Sequence, residues 1–216
     1  MKIELVIFDC DGVLVDSEQI AQEVLSSILG ELGLHLSVDE VGHLFFGKTV
    51  PQCIAIAEDL LGAPIPTDFI AAWRERLYET FRTQPVLAVE GVREVLEKLE
   101  LPVCVVSNGP IEKMQTTLGV TGLLPFFADR LFSPDLGIAG KPAPDLFLAA
   151  ADSFSVQPSA CVVIEDSSGG VRGARSAGMC AFGFTGLPHV NAQSLEEAGA
   201  TLFSSMHELP KLLGLQ

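Results

Sequence analysis

The stretch VIFDCDGVLVDSE, Val6–Glu18, joins a run of strand-forming apolar residues directly to several carboxylates. Such a run is typical of a strand buried on both faces of a parallel sheet. Asp9 ends the run and Asp11 lies two residues on, so strand periodicity can point both carboxylates toward the same side of the sheet's carboxyl edge. Gly12 then lets the backbone turn sharply. A solvated turn accounts for one aspartate and the glycine, whereas a cation beside an anionic ligand accounts for both aspartates.

Similar apolar runs recur along the chain and alternate with helical patterns. The predicted strands are Ile3–Phe8, Val103–Val106, Arg130–Phe132, Cys161–Ile164, Cys180–Phe184 and Thr201–Phe203. The segments between them that have helical spacing are Gly91–Glu100, Ile111–Gly119, Asp145–Phe154 and Gly169–Gly178. This alternation predicts an α/β fold with a doubly wound, Rossmann-like parallel sheet.

One interval departs from the alternation. Between residues 17 and 86 the pattern is almost wholly helical, as in QIAQEVLSSILGELG, VPQCIAIAEDLLG and TDFIAAWRERLYETF. Because the interval follows the first strand directly, we predict a small helical domain at residues 17–86. It would be inserted into an α/β core domain made of residues 1–16 and 87–216.

The amino-acid composition limits the classes of binding partner that we expect. The 13 Lys+Arg against 28 Asp+Glu give a net charge of −15, which repels nucleic-acid phosphates and anionic membranes. Charges, glycines or prolines interrupt every apolar stretch well before the ~20 residues that a membrane-spanning helix needs. The N-terminus lacks a signal-peptide pattern, and five cysteines without CxxC spacing are expected to be reduced. We therefore expect a cytoplasmic protein that binds neither nucleic acid nor membrane. We also expect a monomer, although the composition itself carries no information on oligomeric state.

Three later segments carry polar groups at the ends of predicted strands or beside a predicted helix. CVVIEDSSGG brings Glu165 and Asp166 to a strand end, where helix capping by Asp166 or a serine is the alternative interpretation. VCVVSNGP brings Ser107 and Asn108, which can serve a bound phosphate or a simple turn. GKPAPDLF fixes Lys141 between Gly and Pro, where it can neutralise clustered acids or stay solvated. Carboxyl ends of strands near a topological switch point are where open α/β sheets bind ligands.

Taken in order, D-x-D-G, S-N, K-P and E-D resemble the haloacid dehalogenase-like (HAD) hydrolase superfamily over essentially the whole chain. The helical insertion resembles the cap domain of the β-phosphoglucomutase and phosphoglycolate phosphatase branch. The segment Leu101–Gln115 is most similar to bacterial sugar phosphatases of the 6-phosphogluconate type. The resemblance implies a phosphoric monoester hydrolase that acts on a small phosphorylated metabolite, with a cap that closes over the substrate and excludes water.

The resemblance also implies roles for individual residues. Asp9 would be the nucleophile that forms an aspartyl-phosphate, and Asp11 the general acid and base. Mg²⁺ would be held by Asp9, the backbone carbonyl of Asp11 and Asp166, with Glu165 bound directly or through water. Lys141 would complete the catalytic set.

A second group of residues would bind the phosphoryl oxygens or the rest of the substrate. By resemblance, the phosphate-binding residues are Asp9, Asp11, Gly12, Ser107, the Asn108 amide and Lys141. Lys48, in FFGKTVPQ, is expected to contact an anionic or hydroxylated part of the substrate, and a surface turn is its alternative interpretation.

Other activities of the family fit this sequence less well. Related dehalogenases lack the second aspartate, and phosphonoacetaldehyde hydrolases have a small residue where Asp11 stands. Phosphosugar mutases share all four motifs but carry a histidine at the position of Ala21, so hydrolysis is favoured and a mutase stays the alternative. A sugar-phosphate-binding regulator is the non-enzymatic alternative, and it would be expected to have lost Asp9 or Asp11.

Overall fold

The computed structural model describes residues 2–45, 50–127 and 129–215. The chain forms two compact units, a sheet unit of Met1–Asp16 with Leu87–Gln216 and a helical unit of Ser17–Val86. Within the described ranges, no helix is long and apolar enough to cross a membrane.

Strands and helices alternate along the sheet unit. The strands are β1 (Leu5–Phe8), β2 (Val15–Asp16), β3 (Leu87–Ala88), β4 (Val103–Val106), β5 (Leu131–Phe132), β6 (Cys161–Glu165), β7 (Cys180–Phe184) and β8 (Thr201–Phe203). The helices of the whole chain are α1 (Glu18–Glu31), α2 (Val38–Phe45), α3 (Val50–Leu61), α4 (Phe69–Thr83), α5 (Val92–Lys98), α6 (Ile111–Val120), α7 (Leu124–Phe127), α8 (Asp145–Ser153), α9 (Ser168–Ser176), α10 (Ala192–Glu197) and α11 (Leu209–Leu212). Short 3₁₀ turns lie at Pro134–Leu136, Pro158–Ala160 and Met206–Glu208.

The main sheet is parallel throughout and confirms the predicted Rossmann-like fold. Its strand order is β5-β4-β1-β6-β7-β8, with Val6 of β1 opposite Val103 of β4 on one side and Val162 of β6 on the other. The chain builds outward from β1 first through β4 and β5, then through β6, β7 and β8. The switch point therefore lies beside β1, and the carboxyl ends of β1, β4 and β6 meet there.

The centre of the sheet is fully covered, which explains its uninterrupted apolar runs. Every residue of β1, β4 and β6 is buried, and α8 and α9 contribute Phe147 and Val171 to the core around them. Three strand ends differ from the prediction. β1 begins at Leu5 and not at Ile3. Arg130 lies outside β5, although its carbonyl accepts from the Val105 amide of β4 at 3.0 Å, and β6 extends to Glu165, which pairs with Gly183 of β7.

A two-residue antiparallel pair was not predicted from the sequence. Val15 of β2 lies opposite Ala88 of β3, and Asp16 lies opposite Leu87. The two strands flank the helical unit in the sequence, one directly before it and one directly after it. Strands this short carry no measurable alternation, so no pattern could indicate them.

The helical unit has a core of its own. Apolar side chains from its four helices pack together, and the buried ones are Ile28, Leu29, Val41, Phe45, Ala57 and Phe69. Arg76 of α4 forms an ion pair with Glu31 of α1. This packing matches the amphipathic patterns of the sequence, because each helix turns its apolar stripe inward.

Candidate active site

The turn after β1 presents Asp9 and Asp11 and depends on a glycine. The Asp9 amide donates to the carbonyl of Ile164 in β6 at 2.9 Å, which fixes the end of the strand. Gly12 has φ of +79°, and its amide donates to the carbonyl of Val15 at 2.8 Å. A Cβ at Gly12 would lie 1.9 Å from Asp166 Oδ2. The glycine therefore allows both the turn and the close approach of the second acidic strand end.

The end of β6 holds a fully buried carboxylate in a network of donors. Glu165 Oε2 accepts from the Ser167 amide at 3.0 Å and from its hydroxyl at 2.8 Å. Ser167 Oγ in turn accepts from the Gly170 amide at 3.0 Å and caps α9. A Cβ at Gly170 would lie 1.8 Å from Glu165 Oε1, so this glycine makes room for the glutamate. The capping alternative therefore applies to Ser167, and Asp166 takes part in the acidic cluster.

Lys141 bridges the two acidic strand ends. Its ammonium lies 2.8 Å from Asp9 Oδ1 and 2.5 Å from Glu165 Oε1, and only 5% of its side chain is exposed. The same ammonium lies 5.6 Å from the centre of the Phe147 ring. Burial alone would lower the pKa of Lys141, but Asp9 and Glu165 outweigh it and raise the pKa above its ordinary value. Lys141 is therefore a fixed cation and not a solvated one.

Asn108 fixes the backbone of Lys141. Asn108 Nδ2 donates to the Lys141 carbonyl at 3.0 Å, and the Lys141 amide donates to Asn108 Oδ1 at 2.8 Å. A Cβ at Gly140 would lie 2.7 Å from Asn108 Oδ1, so the neighbouring residue must be small. The nearby Ser107 is buried, and its hydroxyl accepts from the Gly109 amide at 3.0 Å. The sequence predicted a phosphate subsite here but not the use of the Asn108 side chain as a clamp.

Asp9, Glu165 and Asp166 form a cluster suited to a hard cation. One carboxylate oxygen from each lies within 4.8 Å of the others, and oxygen ligands are those that Mg²⁺ takes. Burial raises the pKa of Asp9 from 3.8 to about 7, the Glu165 charge adds to the rise, and Lys141 partly offsets it. Burial, together with the Asp9 and Glu165 charges, raises the pKa of Asp166 well above its ordinary value. The cluster has more negative charge than Lys141 can balance, so the residues present fit a bound divalent cation.

The structure adds one cation that the sequence reasoning missed. Lys113, in the first turn of α6, lies 2.9 Å from Asp11 Oδ2. Its signals in the sequence are its place six residues after Ser107 and its position inside Leu101–Gln115, the segment that resembles the 6-phosphogluconate-type phosphatases. Lys48, which was predicted to contact substrate, lies outside the described residues.

Comparisons with known proteins identify the family. A family model described as haloacid dehalogenase-like hydrolase matches residues 3–178. The chain is 34% identical over 212 residues to the 6-phosphogluconate phosphatase of Escherichia coli (strain K12), covering 98% of this chain and 95% of that protein. A haloacid dehalogenase-like protein of Agrobacterium tumefaciens is 38% identical, with a TM-score of 0.85 and 98% of each chain covered. A HAD family hydrolase of Deinococcus radiodurans, solved with bound phosphate and sodium, is 34% identical with a TM-score of 0.81, covering 98% of this chain and 95% of that one.

Proposed function

Because the chain belongs to the haloacid dehalogenase-like hydrolases and is a phosphatase of phosphorylated metabolites, we propose that it is a Mg²⁺-dependent sugar or sugar-acid phosphatase. The reaction runs through an aspartyl-phosphate on Asp9. The 6-phosphogluconate phosphatase relative supports a sugar-acid phosphate, such as 6-phosphogluconate, as the substrate. Five free cysteines, three of them buried, support a reducing compartment such as the cytoplasm.

One observation carries the proposal, namely the Lys141 ammonium held between Asp9 Oδ1 and Glu165 Oε1. A carboxylate can attack an anionic phosphoryl group only if positive charge offsets the repulsion. Lys141 provides such a charge beside Asp9, on a side chain that burial and two carboxylates keep in one place. The Ser107 hydroxyl and the backbone amide of Asn108 would hold further phosphoryl oxygens.

The reaction has two steps. In the first, an Asp9 carboxylate oxygen attacks phosphorus while the bond to the leaving oxygen breaks, and Asp11 gives that oxygen a proton. In the second, water attacks the phosphorus of the aspartyl-phosphate and gives its proton to Asp11. Inorganic phosphate leaves, and the Asp9 carboxylate is regenerated.

Asp9 and Asp166 would hold Mg²⁺ together with the backbone carbonyl of Asp11. Glu165 would act directly or through water, since both its oxygens already accept from Lys141 or Ser167. The ion supplies positive charge that offsets both the carboxylate crowding and the charge of the phosphoryl group. The raised pKa values of Asp9 and Asp166 support this role, because they reflect a cluster that lacks counter-charge.

The test follows sugar phosphates by ³¹P NMR, with 6-phosphogluconate and glucose 1-phosphate as substrates, in Mg²⁺ and in EDTA. We expect inorganic phosphate in Mg²⁺, little in EDTA, and a loss of roughly 10³-fold or more in Asp9→Asn. Asp59→Asn, an exposed change on α3, serves as the control. Turnover by Asp9→Asn near the parent rate would contradict the proposal. A second reaction with glucose 1-phosphate includes a catalytic amount of the bisphosphate. If glucose 1-phosphate is then converted to its 6-phosphate isomer faster than inorganic phosphate appears, the enzyme is a mutase instead.

A further inference from the structure

We infer that Lys113 is a positioning residue that holds Asp11 ready to take a proton from water, so that it speeds hydrolysis of the aspartyl-phosphate. The inference rests on the proposed function, since it needs Asp11 to act as the base. It assigns a role to a residue that lies outside the D-x-D-G, S-N, K-P and E-D segments.

The start of α6 is built so that Lys113 reaches Asp11. The Ile111 amide donates to Asp135 Oδ2 at 2.9 Å, which caps the helix from the loop after β5. Ser133 Oγ donates to the Gly109 carbonyl at 2.7 Å and fixes the preceding turn. Two contacts from the segment that follows β5 therefore fix the start of α6, and with it the direction in which Lys113 leaves the helix.

Gly109 lies beside both side chains of the ion pair, at ordinary van der Waals distance. A Cβ there would lie 3.5 Å from Lys113 Cδ and 3.7 Å from Asp11 Oδ2. The lysine stem thus passes beside the glycine to place its ammonium 2.9 Å from Asp11 Oδ2. Each of the two side chains is 19% exposed. The ion pair is therefore mostly buried, but water can still reach it.

Helix stability does not explain a lysine at this position. The amino end of a helix carries partial positive charge, so a cation in the first turn is unfavourable by about 0.3–1 kcal/mol at the surface. Ion pairs that solvent reaches, as it does this one in part, contribute about 0–1 kcal/mol. Since the two effects roughly cancel, stabilising the fold is a weak reason for Lys113, and its effect on Asp11 is the stronger one.

The ion pair matches one stage of the reaction in particular. Once Asp11 has given its proton to the leaving group, it is a carboxylate, the form that pairs with an ammonium. The next step requires that same carboxylate to accept a proton from the attacking water. A fixed cation at Oδ2 keeps the carboxylate from swinging away, so Lys113 should act mainly on breakdown of the intermediate.

The experiment measures formation and breakdown of the intermediate separately in the intact protein. Steady turnover of 4-nitrophenyl phosphate in saturating Mg²⁺ is quenched with acid, and intact-mass spectrometry gives the phosphorylated fraction. The breakdown constant is the steady turnover rate divided by the concentration of phosphorylated enzyme. The formation constant is the same rate divided by the product of the free-enzyme and substrate concentrations. Only folded enzyme becomes phosphorylated, so the breakdown constant is unaffected if a variant folds poorly.

We expect Lys113→Met to lower the breakdown constant by about tenfold or more, which is part of the roughly 10²- to 10⁴-fold that a positioned acid/base contributes. The formation constant should change by less than about threefold, because nitrophenolate leaves without a proton. Lys113→Arg, which keeps the cation, should restore most of the loss. Lys98→Met, at an exposed lysine of α5, should change neither constant.

Two results would overturn the inference: a breakdown constant within about twofold of the parent in Lys113→Met, or equal losses in both constants. Asp11→Ala separates this failure from failure of the proposed function. If Asp11→Ala slows breakdown and Lys113→Met does not, only the inference about Lys113 is wrong. If Asp11→Ala leaves breakdown unchanged, the proposed base itself is wrong.

Discussion

Replacing Asp9 with asparagine should stabilise the metal-free protein at alkaline pH, although it removes the nucleophile. Burial and the Glu165 charge raise the pKa of Asp9 from 3.8 to about 7. At 1.36 kcal/mol per pKa unit, the ionised carboxylate then costs about 4 kcal/mol in the folded state. This cost already includes the attraction of Lys141, which lowers the pKa of Asp9, so we expect Asp9→Asn to gain up to about 4 kcal/mol at pH 8.5.

The pH dependence of the effect has a definite sign. Between pH 3.8 and about 7 the folded state binds more protons at Asp9 than the unfolded state does, so this carboxyl lowers stability as pH rises through that window. Above pH 7 the cost is fully present, and near pH 4 it is almost absent. The stability difference between Asp9→Asn and the parent should therefore be small at pH 4.5 and large at pH 8.5.

Urea unfolding in EDTA, followed by circular dichroism, measures the difference. Circular dichroism is preferred because the sole tryptophan, Trp73, belongs to the helical unit, whereas Asp9 belongs to the sheet unit. Asp59→Asn should change the free energy of unfolding by less than about 0.5 kcal/mol at either pH. In Mg²⁺ at about 100 times its dissociation constant, the parent should gain about 2.7 kcal/mol and the variant less. Equal stabilities in EDTA at pH 8.5, or a larger difference at pH 4.5, would refute the reasoning.

Two further substitutions test how the site is held together. Gly12→Ala should raise the Mg²⁺ concentration needed for half-maximal activity by about tenfold or more, because its Cβ would meet Asp166 Oδ2. The control is Gly33→Ala, also at positive φ but with open space around it, which should lose about 1–2 kcal/mol of stability without a change in the Mg²⁺ requirement. Equal Mg²⁺ requirements in the two variants would contradict the predicted clash. Asn108→Ala should weaken inhibition by inorganic phosphate about tenfold, because the backbone of Lys141 is no longer held in place. The control Asn191→Ala, which removes a helix-capping contact to the Ser194 amide, should leave inhibition unchanged. An unaltered inhibition constant in Asn108→Ala would contradict the role of Asn108 in holding Lys141.

The sheet could be predicted because its signals are local. A buried parallel strand needs a continuous apolar run, and β4, β7 and β8 lie at the predicted residues. The carboxylates of the site follow such runs directly, and the carboxyl ends of parallel strands share one edge. Their meeting near the switch point could therefore be inferred without knowing any distance.

The contacts that refine the site could not be predicted in this way. The pairing of Lys113 with Asp11 depends on how α6 leaves its turn, which Ser133 and Asp135 from another part of the chain decide. The use of the Asn108 side chain depends on where the Lys141 loop passes. Such contacts join residues distant in sequence, so neither periodicity nor spacing can indicate them.

The β2–β3 pair bears on how this architecture could have been assembled. Asp16 and Leu87 lie directly opposite each other on adjacent antiparallel strands, and such neighbours are only about 5 Å apart. A two-residue Asn-Gly hairpin turn spans that gap, so the sheet unit can in principle be closed without residues 17–86. The helical segment thus occupies the position of a hairpin loop, where chains accept insertions readily. Evolution or an engineer could exchange it for another module while leaving the sheet and its acidic edge in register.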